Sequence, residues 1–314
     1  MFLVGFLSTT WGIIGSNVPV HANRRNSPAA LQGAFSEHLQ LLRTAADTPP
    51  LPTVATTSFS FITVRTPKEL GTCDALILPG GESTTISLIA ERSGLLEPLR
   101  DFVKVQQKPV WGTCAGMILL AERASRTKRG GQQLIGGLDV CVSRNHFGRQ
   151  VESFERVLEM PFLERGSLGF RGVFIRAPVV ESLLDRVDPG TGTGTGMAPE
   201  PEPEPEPAAE EEAHVSAPHV AGWHRNLKEE VEILASLPAS SESESESESK
   251  SKSGIQPSAP GGTGTIVAVR QAHVVGTSFH PELTGDARMH RWWLGEVVRV
   301  IMAARQAHPG KKMC

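Results

Sequence analysis

Pro109-Val110-Trp111-Gly112-Thr113-Cys114-Ala115-Gly116 decides how this chain is read. Pro109-Val110-Trp111 is a short apolar strand, Gly112 and Gly116 flank a tight turn, and a helix is expected from Ala115 to about Arg123. Glycines on either side of a nucleophilic side chain give a strand-to-helix elbow, with cysteine where hydrolases often carry serine. They allow the sharp turn and keep bulk away from the sulfur, so that Cys114 can face a substrate carbonyl. The helix N-terminus favours the thiolate, the form that attacks. A buried structural cysteine in a tight turn is the competing reading of these residues taken alone.

The same grammar recurs on both sides. Ala75-Leu76-Ile77-Leu78 is a buried-strand run closed by Pro79-Gly80-Gly81, and Ser83 or Thr84 caps a helix through Ala90. Val173-Phe174-Ile175 is a further strand. Ile266-Val267-Ala268-Val269 and Val274 to Phe279 form a hairpin whose second strand stops at His280-Pro281, and a helix from Ala287 to about Ala304 follows. Strands alternating with helices give an α/β fold with a largely parallel central sheet, helices on both faces, and functional loops at the carboxyl ends of strands.

Those ends carry the chemistry. Ser278-Phe279-His280-Pro281-Glu282 follows an apolar strand, and a histidine with a carboxylate two residues on supplies a base and the group that orients it. Isolated, His-Pro-Glu reads as a surface turn; in a chain with a cysteine elbow it reads as the elbow's base. Leu78-Pro79-Gly80-Gly81-Glu82-Ser83-Thr84 is a glycine-rich loop after another strand. Its Gly81 amide, with that of Ala115, is placed to stabilise an oxyanion. A phosphate cradle is weaker, because the P-loop lysine is absent.

Composition narrows the class. The 314 residues include 31 basic and 34 acidic side chains, for a formal net charge of −3, which leaves no basic excess for nucleic acid. The four cysteines, Cys73, Cys114, Cys141 and Cys314, form no CxxC pair and have no histidine at metal spacing. Neither a disulfide framework nor a metal site is expected, and the pattern fits a reducing, cytoplasmic compartment. The apolar start, MFLVGFLSTTWGIIGSNVPVHA, raises a signal peptide but lacks a positive leading region. Ser8, Thr9, Ser16, Asn17 and Pro19 interrupt it as a membrane span. Thr-Gly and Pro-Glu repeats over 188–212, and Ser-Glu, Lys-Ser and Gly-Pro sequence over 239–264, bury too little apolar surface to fold and read as insertions. The expected organisation is an N-terminal extension over 1–30, one catalytic domain over 31–304 broken by those insertions, and a tail over 305–314.

Six motifs in order then resemble one family. They are Leu31-Gln32-Gly33-Ala34-Phe35 with Glu37-His38; Pro79 to Thr84; Gly112 to Gly116; Arg144-Asn145-His146-Phe147-Gly148-Arg149-Gln150; Phe174-Ile175-Arg176-Ala177-Pro178; and Ser278 to Leu283. Together they resemble the glutaminase subunit of pyridoxal 5′-phosphate synthase, the PdxT/SNO family of class I glutamine amidotransferases. The likeness runs over about Leu31 to Val187, Val231 to Leu237, and Thr265 to Ala304. It implies a three-layer amidotransferase fold and hydrolysis of L-glutamine to glutamate and ammonia, with no cofactor. By motif position Cys114 is the nucleophile, His280 the general acid/base and Glu282 its orienting partner. Glutamine contacts carry over to Gly81, Glu82, Ser83, Arg144, Ile175 and Arg176. A guanidinium suits the substrate α-carboxylate, and a structural ion pair is the weaker reading of Arg144 or Arg176. The resemblance also implies a synthase partner of the PdxS/SNZ family, which receives the ammonia and activates the glutaminase near Gln32-Gly33 and Glu82.

The chain departs from that pattern before Leu31. Family members run from a short apolar strand straight into Leu-Gln-Gly-Ala, whereas His21 to Ala30 holds two arginines, two asparagines and a proline. Either the amino-terminal stretch is a gene-model error, or Ile13-Ile14 or nearby residues supply a substitute strand. A misplaced Leu31-Gln32 loop would make the chain a catalytically impaired regulatory or scaffolding subunit. His146 stands where a small hydroxyl residue is common.

Overall fold

The computed structural model describes residues 2–7, 35–48, 58–127, 132–144, 153–163, 169–184, 213–218, 229–238 and 264–307. The strands are β1 (Phe2–Leu7), β2 (Phe59–Val64), β3 (Ala75–Leu78), β4 (Val110–Thr113), β5 (Ala121–Thr127), β6 (Leu138–Ser143), β7 (Ser153–Leu158), β8 (Phe170–Ile175), β9 (Val179–Leu183), β10 (Ala213–Ser216), β11 (Glu232–Leu237), β12 (Thr265–Gln271) and β13 (Val274–Thr277). The helices are α1 (Phe35–Asp47), α2 (Pro67–Thr72), α3 (Ser83–Arg92), α4 (Leu96–Arg100), α5 (Ala115–Leu120) and α6 (Arg288–Ala307).

The main sheet runs β10-β5-β6-β9-β12-β13-β4-β3-β1-β2, with β11 also on β12 and β7 paired to β8 in a separate ribbon. From β2 through β1, β3 and β4 to β13 every joint is parallel. Beyond β13 the joints are antiparallel, except the parallel pair β5–β6.

The strands β3, β4 and β13 are buried along their whole length, as a sheet covered twice requires. On β3, Leu76 and Leu78 enter one core with Val110, Val274 and side chains of α3, α4 and α5. Ala75 and Ile77 enter the other, with Trp111, Val275 and side chains of α1 and α6. Alternation with a period of two thus divides consecutive residues between two helical layers. This is the three-layer α/β architecture expected.

Three details differ from the sequence reading. The first strand is Phe2–Leu7, within the stretch set apart as an extension, and Ile13-Ile14 lie outside the described residues. Val4 pairs with Phe61 on one side and Ala75 on the other, so β1 fills the place between β2 and β3. The cap of α3 is Glu82, whose carboxylate accepts from the amides of Thr84 and Thr85, rather than Ser83 or Thr84. The helix after Cys114 stops at Leu120 because Ala121 onward is claimed by pairing with β6. The insertions 188–212 and 239–263 lie outside the described residues. Among the described residues no helix is long and apolar enough to cross a membrane.

Candidate active site

Register brings the site together. Thr277 pairs with Thr113, and Leu78 with Gly112, so β3, β4 and β13 end at one level. Cys114 follows Thr113 directly, and its amide donates to Thr277 O at 2.7 Å. It is the N-cap of α5 with φ 49° and ψ −104°, a left-handed conformation that costs a non-glycine residue about 1–3 kcal/mol. The carbonyl of Cys114 accepts from the amides of Met117 and Ile118, which closes the elbow.

The flanking glycines have a measurable reason. A β-carbon on Gly112 would come 2.4 Å from the carbonyl carbon of Gly116, and one on Gly116 would lie 2.0 Å from Leu78 O. The turn is packed backbone against backbone, and neither site admits a side chain.

The imidazole arrives from β13. The His280 amide donates to Val173 O at 2.8 Å, and its Nδ1 lies 2.8 Å from Glu282 Oε1. Pro281–Leu283 forms one 3-10 turn that sets this spacing, and the Glu282 side chain is fully buried. Burial alone would lower the His280 pKa, but hydrogen bonds with Cys114 and Glu282 and their charges outweigh it and raise it to about 10. Burial would raise the Glu282 carboxyl, yet His38 and His280 hold it below the usual carboxylate range. Cys114 and the His280–Glu282 pair thus lie at the ends of the paired strands β4 and β13.

The other predicted residues divide. The carbonyl of Ile175 lies 4.0 Å from Cys114 Sγ, while Arg176, the next residue, is exposed with φ 42°. Gly81 has φ 149°, a conformation reserved for glycine, and begins the turn into α3. Ala115, 1% exposed, opens α5 beside the sulfur. Arg144 Nη2 sits 3.2 Å from Glu82 Oε1 and 3.3 Å from Thr84 Oγ1, so it forms an ion pair within the predicted substrate-contacting set. Burial would raise Glu82, but hydrogen bonds from Thr85 and Thr84 keep it low and ionised. The Ser83 hydroxyl is turned inward, onto Gln132 Oε1 at 3.0 Å. Gln32, Gly33 and His146 lie outside the described residues, as does Cys314. Burial pushes the thiols of Cys73 and Cys141 up to about 11, so both stay protonated. Among the described residues no group of His, Cys, Asp and Glu is arranged to hold a metal.

Two neighbours escaped the sequence reading of the site. Gly80 lies against His280, where a β-carbon would come 2.3 Å from Cε1. His38, quoted above only as part of a motif, places Nε2 3.3 Å from Glu282 Oε2. The available signal was periodicity, because His38, Leu41, Leu42 and Ala45 form one buried face of α1.

The model of the SNO glutamine amidotransferase family matches residues 29–190. A probable pyridoxal 5′-phosphate synthase subunit PDX2 of Arabidopsis thaliana is 38% identical over 268 residues, 84% of this chain and 82% of that protein. The pyridoxal 5′-phosphate synthase subunit PdxT of Streptomyces griseus is 38% identical over 272 residues, 87% of this chain and 94% of that one. A crystal structure of a glutamine amidotransferase superposes with a TM-score of 0.51 at 32% identity, covering 86% of this chain and 96% of the other. With an elbow cysteine, a buried His-Glu pair and relatives matched over most of their length, the chain belongs to the SNO glutamine amidotransferase family.

Proposed function

We propose that this chain is the glutaminase subunit of a pyridoxal 5′-phosphate synthase, with Cys114, His280 and Glu282 as its triad. The Cys114 thiolate attacks the side-chain amide carbon of L-glutamine, and the carbonyl oxygen takes up the negative charge. The amides of Gly81 and Ala115 receive that oxyanion. Collapse breaks the carbon–nitrogen bond as His280 delivers a proton to the departing nitrogen, leaving ammonia and a γ-glutamyl thioester. Water, deprotonated by His280, attacks the thioester and releases glutamate with the thiol restored. Glu282 keeps the imidazole in one orientation throughout and stabilises its cationic form. Arg144 and Arg176 are assigned to the substrate α-carboxylate, so glutamine has to compete with Glu82 for Arg144. The ammonia passes to a synthase subunit of the PdxS/SNZ family, sheltered from protonation in bulk water.

The observation that carries this reading is the 2.8 Å contact between His280 Nδ1 and Glu282 Oε1 at the end of β13, the strand paired in register with β4, which leads into Cys114. A silent scaffolding subunit is the reading for a chain that lacks a strand before Leu31. β1, from Phe2 to Leu7, pairs with both β2 and β3, which supports the active reading instead. The test is ammonia release from glutamine by the purified chain, with and without the synthase subunit. Low activity alone, a strong rise with the partner and loss of that rise in Cys114→Ala are expected. Equal turnover by the alanine variant would remove the proposed nucleophile.

A further inference from the structure

The buried carboxylate of Glu282 has two oxygens, and His280 uses one. Oε1 takes His280 Nδ1 at 2.8 Å. Oε2 faces His38 Nε2 at 3.3 Å, with both side chains wholly excluded from solvent. That contact is near but not aligned as a hydrogen bond, and neither atom has a hydrogen-bond partner among the described residues. On the other side of the ring, His38 Nδ1 meets His290 Nε2 at 2.9 Å. Three imidazoles and one carboxylate therefore run in file from α6 through α1 to the end of β13.

The file is walled by aromatic rings. His38 stands edge-on to Trp111 at 5.7 Å between centroids and 6.4 Å from Phe6, and His290 lies 5.1 Å from Trp111. Trp111 is itself anchored, its Nε1 donating to Thr277 Oγ1 at 3.2 Å. Both histidines hold positions that periodicity gives to apolar side chains. His38 shares its face with Leu41, Leu42 and Ala45, and His290 shares its own with Trp293, Leu294 and Val297. Packing alone would be served by phenylalanine or leucine, without the cost of burying polar nitrogens. What imidazole adds is a directed proton.

The direction can be worked out. Burial holds His38 below its usual pKa against the opposing pull of Glu282 and Glu37, with the charge of His280 adding to the depression. Burial and then the charge of His38 hold His290 well below its own. Both rings are thus neutral near neutral pH, with one N–H each. A bare Nε2 on His38 would set a lone pair beside the carboxylate, so the proton sits on Nε2, the nitrogen 3.3 Å from Oε2. His38 Nδ1 is then the acceptor, and His290 donates from its Nε2. In each ring of the file the protonated nitrogen is the one nearer Glu282.

We propose that His38, held by His290, is a positioning residue for the triad: it occupies the distal oxygen of Glu282 and so fixes the carboxylate that orients His280 towards Cys114. This rests on the Cys114–His280–Glu282 reading above. A carboxylate held through one oxygen can swing about that contact, whereas one held through both presents a fixed edge to the imidazole.

The experiment uses the full chain with its synthase subunit, measuring kcat and KM for glutamine by ammonia release, with a melting temperature for each variant. A second readout needs no turnover: the pH dependence of alkylation of Cys114 by iodoacetamide, followed by peptide mass spectrometry. His38→Phe should lose about 10- to 100-fold in kcat, the scale found for outer-shell partners of catalytic ligands, with KM little changed. Its alkylation profile should depart from that of the native chain. His38→Gln, whose side-chain N–H can take the place of Nε2–H, should recover most of the kcat, and His290→Phe should resemble His38→Phe. Native kcat and a native alkylation profile in folded His38→Phe would overturn the proposal. So would a folded His38→Gln no more active than His38→Phe. If His38→Phe does not fold, His290→Phe and His38→Gln decide by the same two readouts. Cys114→Ala keeps the two readings apart. Ammonia release by that variant defeats the triad itself, whereas a silent Cys114→Ala beside a fully active His38→Phe defeats only the positioning role.

Discussion

Gly80→Ala tests how tightly the imidazole is held. A β-carbon at Gly80 would stand 2.3 Å from Cε1, 3.0 Å from Nδ1 and 3.4 Å from Nε2 of His280. Ordinary carbon contacts begin near 3.4 Å, so the ring has to withdraw by about 1 Å. It has little room to do so. Its backbone is tied to Val173 O, its neighbour Phe279 is fully buried, and its Nδ1 is engaged by Glu282 at 2.8 Å. A retreat of that size breaks either this bond or the approach to Cys114. Misplacing a reacting group by about 1 Å costs on the order of 100-fold in rate, or about 2.7 kcal/mol of barrier. Gly80 is not among the positive-φ residues, so alanine meets no backbone strain and the fold should survive. The assay is steady-state ammonia release in the presence of the synthase subunit, alongside calorimetric melting. Turnover within about threefold of native, a barrier change of under about 0.7 kcal/mol, would show that the imidazole is not held where this reasoning puts it.

Other substitutions and conditions separate fold from chemistry. Gly116→Ala drives a β-carbon to 2.0 Å from Leu78 O, a backbone atom that cannot swing aside. It should lower stability by about 1–3 kcal/mol or more, and a melting temperature equal to native would contradict the packing of the elbow. The raised His280 pKa gives a pH signature. A histidine whose pKa is about 10 folded and 6.5 in its unperturbed state lends stability that is fully present below 6.5 and is lost as pH rises through 10. The melting temperature should fall across that window, and by less in Cys114→Ala, which lacks one of the groups that raise His280. Identical slopes in the two proteins would refute the coupling.

Much of this was written in local sequence. Ala75–Leu78, Val110 and Trp111, and the β12–β13 hairpin are short apolar runs punctuated by Pro, Gly or a two-residue turn, and the strands lie where those signals put them. The end of α5 was not legible. Ala121-Glu122-Arg123-Ala124 has good helix-forming residues, and pairing with β6 on one side and β10 on the other makes it a strand. β1 was hidden because Phe2–Leu7 merges into a longer apolar stretch, and the residues next to Leu31 read as unfit for a strand. At the site, Cys114, His280 and Glu282 were legible because they follow short apolar strand runs. The partners of the remaining groups were not. The pairing of Arg144 with Glu82 spans 62 positions, and the contact between His38 and His290 spans 252. Distances of that kind belong to the packing of α1 against α6 and of loops against α3, which no window of sequence contains.

The common level at which β3, β4 and β13 end also governs what the chain can tolerate. The spacing of sulfur and imidazole is set by hydrogen-bonded ladders between neighbouring strands, not by the length of any connector. The repetitive stretches over 188–212 and 239–264 enter between β9 and β10 and between β11 and β12, outside that trio. Such joints are where a genome can lengthen an enzyme freely, while a single residue gained or lost inside β4 or β13 would turn Cys114 or His280 to the wrong face.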